Sequence, residues 1–98
     1  MKSREEIQSI LHAHVPELRE RFHVERIGLF GSWVRGDQAA QSDLDILVSL
    51  SQPLGLQIVD LHEYLEQLLG VKVDLVTEGA VIRKPLLWQS IREDLVYV

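Results

Sequence analysis

Apolar positions recur at helical spacing from the beginning of the chain: Ile7, Ile10 and Leu11, with His14 a turn further on. Ser3, three residues before Glu6, supplies a capping box, so the pattern predicts a helix over residues 3–14. Pro16 interrupts it and suits the first turn of a second, short helix through Leu18 and Phe22. From Val24 to Phe30, Val24, Arg26, Gly28 and Phe30 alternate with Glu25, Ile27 and Leu29, which predicts a mostly buried strand ending at Gly31. A short helix opens near Ser32 and stops by Gly36, a residue fitted to a left-handed helix end. After a polar loop over 37–42, Leu44 to Leu50 reads as a second strand, broken by Ser51-Gln52-Pro53. Leu54, Ile58, Leu61, Leu65 and Leu68 share one face of a helix over 54–69 that Gly70 caps, and 71–77 reads as a third strand. Pro85 opens a last helix to Asp94, and Leu95 to Val98 forms a final short strand. The alternation predicts an α/β (α+β) fold: a small mixed sheet of three to four strands, covered mainly on one face by helices.

Length and charge narrow the classes. The 98 residues make a single domain, 1–98, which should bury about 60–65% of its unfolded surface. Without cysteine there are no disulfides and no thiolate metal sites. The N-terminal stretch carries Glu5 and Glu6 where a secretory signal would be apolar, and no run of about eighteen apolar residues occurs, so a cytoplasmic protein away from membranes is expected. A formal charge of −5 weighs against direct nucleic-acid binding, which needs clustered Lys and Arg, but leaves a nucleotide substrate open.

The chemistry concentrates in two apolar segments. Gly31 and Gly36 have the spacing of a phosphate loop, yet Asp37 and Gln38 follow where Lys and Ser or Thr are required, so that motif fails. What remains is a strand running into Gly31-Ser32 at a helix start, which aims backbone N–H groups at one point; taken alone it reads better as a tight turn with a cap, since cap residues are common. Asp43 and Asp45 lie two apart at the start of an extended segment, so both leave the same face, and Asp74 sits inside Val-Lys-Val-Asp-Leu-Val. A carboxylate inside an apolar strand costs stability unless something binds it. Each aspartate singly could be a cap or an edge acid. Three together fit paired Mg²⁺ ions holding a triphosphate.

Gly-Ser-x-x-Arg-Gly, followed by Ser-Asp-x-Asp-Ile-Leu-Val and an acid in a later strand, resembles the nucleotidyltransferase superfamily of the DNA polymerase beta type. Over nearly its whole length the chain resembles the minimal nucleotidyltransferases encoded beside HEPN-domain partners, and lacks the extra domain with which larger members hold their acceptor. The resemblance implies the nucleotidyltransferase fold and Mg²⁺-dependent transfer of AMP from ATP. The acceptor would be a hydroxyl, a tyrosine of a HEPN toxin, making the chain the antitoxin of a toxin–antitoxin pair. It implies Gly31 and Ser32 on the β- and γ-phosphates, Asp43 and Asp45 binding two Mg²⁺, and Asp74 completing one metal site and helping to deprotonate the acceptor. The alternatives are transfer to a small molecule, or a non-catalytic antitoxin that acts by binding.

Other residues carry weaker signals. Arg35, one turn past Ser32, could reach a phosphate or pair with Asp37 or Glu25. Arg83 and Lys84 could approach a triphosphate from beyond the third strand or simply solubilise the surface. His12, His14, His23 and His62 show no metal-binding spacing. Trp33 could pack on a base or partner, though core packing is commoner. Trp88 with Leu86, Leu87 and Ile91 is wider than one buried stripe, suggesting an interface for homodimer or hetero-oligomer formation.

Overall fold

In the computed structural model, which describes residues 2–39 and 41–98, the chain folds around one four-stranded sheet. The elements in order are α1 (Arg4–Ala13), α2 (Val15–Phe22), β1 (Val24–Phe30), α3 (Ser32–Arg35), β2 (Leu44–Leu50), α4 (Gln57–Leu69), β3 (Val73–Thr77), α5 (Glu78–Val81), α6 (Pro85–Asp94) and β4 (Val96–Tyr97). The strand order is β3-β2-β1-β4, with β1 antiparallel to both β2 and β4, and β2 parallel to β3. The parallel pair needs a crossover, and α4 supplies it.

Helix α1 starts where the sequence places it. The Ser3 hydroxyl accepts from the Glu6 N–H at 3.2 Å, and Glu6 reaches back to the Ser3 N–H. Ser3→Ala is expected to cost about 1 kcal/mol, read as a lower urea midpoint with an unchanged slope. Pro16 occupies the first turn of α2, as its missing N–H requires.

One sheet face carries the main core. Ile7 and Leu11 of α1, Leu18 and Phe22 of α2, and Leu61, Leu65 and Leu69 of α4 pack there on Ile27 and Leu29 of β1 and Leu44, Ile46 and Val48 of β2. Each fully buried aliphatic side chain contributes about 1.5–3 kcal/mol. The opposite face is not bare: Val81 of α5 and Ile91 of α6 close over Leu47, flanked by Phe30, Val76 and Trp88. The helices therefore cover one face fully and the second in part, and the uncovered part of that second face becomes important below.

Two boundaries differ from the sequence expectation by two residues or more, and one element was not expected. Helix α4 begins at Gln57 rather than Leu54, because Gly55 adopts φ +57 in a turn that a helix cannot contain. Strand β3 begins at Val73 rather than Val71; its start is fixed by Glu66, whose carboxylate accepts the Val73 N–H at 2.9 Å, and by His62 against the Val73 carbonyl at 2.7 Å. The one-turn helix α5 was not anticipated. Among the described residues no helix is long and apolar enough to cross a membrane.

Candidate active site

The sheet topology brings the end of β1 beside the beginnings of β2 and β3. Asp45, second in β2, and Asp74, second in β3, are Cα partners in the parallel register, so both side chains leave the same face. That face is the partly covered one, since Leu47 and Val76, two residues further along each strand, belong to the cluster under α5 and α6. Across the antiparallel pairing Asp45 faces Phe30, the last residue of β1. The carboxylate pair thus lies directly beside Gly31.

Gly31 has φ +78, and a Cβ added there would overlap the Asp45 carboxylate. The position therefore demands glycine twice, for its backbone angle and for the approach of an acid. Helix α3 opens immediately after it: the Val34 and Arg35 N–H groups both bond back to the Gly31 carbonyl at 3.1 Å. The N–H groups of Ser32 and Trp33 precede that ladder, as the first donors of any helix do, and point out of its beginning. Gly36, at φ +82, ends the helix, its N–H bonding the Ser32 carbonyl at 2.9 Å.

Electrostatics mark Asp45. Its carboxyl is pushed up to about 6, first by burial, then by the negative charge of Asp74 and a hydrogen bond shared with it, then by Asp43; Arg35 pulls the other way. Asp45 and Asp74 crowd one another enough to hold the Asp45 carboxyl well above the usual carboxylate range. Asp43 stands apart: it is exposed at the rim and lines a separate cavity with Trp33 and Lys72. Among the described residues no three acidic or histidine side chains are drawn together tightly enough to enclose an ion. The donor set nonetheless fits a hard divalent cation, being all oxygen and anionic, and a cation would relieve the crowding that raises Asp45.

A cavity of about 290 Å³ adjoins the pair, lined by Gly31, Ser32, Arg35 and Asp45 on one side. Leu87, Ser90, Ile91 and Asp94 of α6 form the other wall. Arg35 does not pair with Glu25. Its Nε donates to Asp37 at 3.2 Å and an Nη to Asp94 at 2.8 Å. Asp94 was not anticipated as a site residue. The one signal in the sequence is an acid ending a helix, where the dipole disfavours it.

Arg83 lies elsewhere. It lines a larger concavity of about 660 Å³ with Ser49 and Thr77, the last residues of β2 and β3 or their neighbours, at the opposite end of the parallel pair from Asp45 and Asp74. This hollow is thus remote from the carboxylates, and its acid, Glu78, is already paired to Arg26 at 3.0 Å. Trp33 is buried and donates its indole N–H to the Ser42 carbonyl at 3.4 Å, so it fastens α3 to the loop before β2. Leu86 is 84% exposed and Ile82 51%, which leaves an apolar strip on and before α6.

Comparison with known proteins shows the family to which this fold belongs. The sequence model of the Nucleotidyltransferase domain family matches residues 11–98. The chain is 48% identical over 99 aligned positions to the protein adenylyltransferase MntA of Thermococcus cleftensis, covering 100% of this chain and 98% of that one. A solved structure provisionally described as a minimal nucleotidyltransferase superposes with a TM-score of 0.71 at 32% identity, over 95% of this chain and 89% of the other. A solved toxin–antitoxin with AMP-PNP superposes with a TM-score of 0.63 at 27% identity, over 91% of this chain and 66% of that one. With a family model matched over residues 11–98 and a full-length relative at 48% identity, the chain belongs to the nucleotidyltransferase family and is an enzyme of the minimal kind.

Proposed function

We propose that the chain transfers AMP from ATP to a hydroxyl of a partner protein, a tyrosine of a HEPN toxin, and so serves as that toxin's antitoxin. The observation that carries the reading is the register pairing of Asp45 with Asp74 directly beside the Gly31-Ser32 turn. Two further facts support it: the relative in Thermococcus cleftensis is named a protein adenylyltransferase, and a solved neighbour is a toxin–antitoxin with AMP-PNP.

In this reading the N–H groups opening α3 and the Ser32 hydroxyl bind the β- and γ-phosphates, and Arg35 adds a cation at the same mouth. Asp43, Asp45 and Asp74 would hold two Mg²⁺ ions, which neutralise the triphosphate and stabilise the pyrophosphate leaving group. The acceptor oxygen attacks the α-phosphorus, the bond to pyrophosphate breaks, and its electron pair departs with pyrophosphate. Asp74, the more exposed of the strand pair, takes the hydroxyl proton. Leu87, an exposed apolar side chain in the wall of the pocket, suits a protein partner.

The test is incorporation of label from α-labelled ATP into a HEPN protein encoded beside this gene, with Mg²⁺ present. Label is expected on a tyrosine, and none with γ-labelled ATP. Label from the γ-position, or turnover on free small molecules with none on the protein, would contradict the assignment.

A further inference from the structure

Arg35 and Asp94 are 59 residues apart, yet a 2.8 Å ion pair joins them across the mouth of the cavity. Their environments are unequal. The Asp94 side chain is only 17% exposed, whereas that of Arg35 is 52% exposed. The acid is therefore the anchored partner and the arginine the reaching one. Asp94 is also the last residue of α6, where the negative end of the helix opposes a carboxylate, so its placement gains nothing from the helix and depends on the cation.

The guanidinium is held from two sides, by Asp94 through an Nη and by Asp37 through Nε. A guanidinium has five N–H donors in a rigid fork, so these two bonds fix its plane and leave donors free for a third anion. Ser32 and Gly31 line the same cavity.

We propose that Asp94 is a positioning residue for nucleotide binding: it fixes the Arg35 guanidinium at the cavity mouth, so that the remaining N–H groups meet a phosphate of the incoming triphosphate without first being ordered. The proposal rests on the nucleotide reading above and assigns α6 a part in it. A long, flexible side chain already immobilised spares the binding step its ordering cost.

Binding of the non-hydrolysable analogue AMP-PNP with Mg²⁺, measured by calorimetry, tests this. Asp94→Asn should weaken binding about threefold to tenfold, the range expected for losing the preorganisation of one such side chain. Asp94→Glu, which keeps the charge, should recover most of the loss. In an Arg35→Ala background Asp94→Asn should have no further effect, an interdependence that a merely structural role would not produce. Unchanged or tighter binding by Asp94→Asn, or an equal loss with Arg35 already removed, would overturn the proposal. If the wild-type protein bound no AMP-PNP, the nucleotide reading would fall with it; wild-type binding that ignores Asp94→Asn would sink the positioning role alone.

Discussion

Asp45→Asn should abolish AMP transfer and at the same time make the protein more stable at neutral pH. Loss of one charge-bearing group of this kind lowers turnover by a factor on the order of 10²–10³. The stability gain follows from linkage. The Asp45 carboxyl ionises near its ordinary 3.8 in the unfolded chain and at about 6 in the fold. Between those values the folded state holds more protons than the unfolded one, so stability falls as pH rises from about 4 through 6, and the whole penalty is present above. Because water screens this half-exposed group, the penalty is on the order of 1 kcal/mol. Urea denaturation of the metal-free protein should therefore show Asp45→Asn ahead of the wild type at pH 7.5, with the two converging near pH 4. A variant less stable at both pH values would mean that the carboxylate is a structural support, not a strained one.

Gly31→Ala should be damaging in both respects. A Cβ at Gly31 would overlap the Asp45 carboxylate, and the backbone angle of φ +78 is one that alanine rarely adopts. Strain of this type costs about 1–3 kcal/mol, and the displaced carboxylate should take transfer down with it. Gly36→Ala provides the contrast. It has nearly the same angle, φ +82, but nothing lies within 4 Å of where its Cβ would be. It should lose about 1 kcal/mol from the left-handed conformation alone and keep its transfer rate. Equal activity losses in the two variants would show that backbone strain, rather than the collision with Asp45, governs the turn.

How much of this was legible in the sequence depended on whether the signal was local. Strands β1 and β2 fall where alternation and apolar runs place them, and Ser3 with Glu6 and Pro16 mark the starts of α1 and α2 as expected. Helix α5 escaped notice because Glu78-Gly79-Ala80-Val81 is a single turn, too short to show a period, and contains a glycine that reads as a breaker. Leu54 has helical spacing to Ile58, but Gly55 turns the chain between them, so periodicity alone set the start of α4 too early.

The same distinction separates the site residues. Asp45 and Asp74 stood out because a carboxylate is costly inside an apolar strand, and Gly31, Ser32 and Asp43 because they complete a short motif with them. That Asp45 faces Asp74 was conditional on two strands lying parallel in one register, which is a property of the whole sheet. Asp94 could not be found by motif at all. Only the path of α6 across the second sheet face brings it to Arg35, whereas the pairing of Arg35 with Asp37, two residues on, was among those the sequence offered. Arg83, for which a solubilising role was the commoner reading, lies after α5 at the far end of the parallel strands.

The most direct measurement is the number of Mn²⁺ ions bound per chain in the presence of AMP-PNP, counted by electron paramagnetic resonance. The account predicts two in the wild-type protein, fewer in Asp74→Asn, and none retained by the triple Asp43→Asn, Asp45→Asn, Asp74→Asn variant beyond what the free nucleotide binds. Full Mn²⁺ occupancy in the triple variant would contradict it.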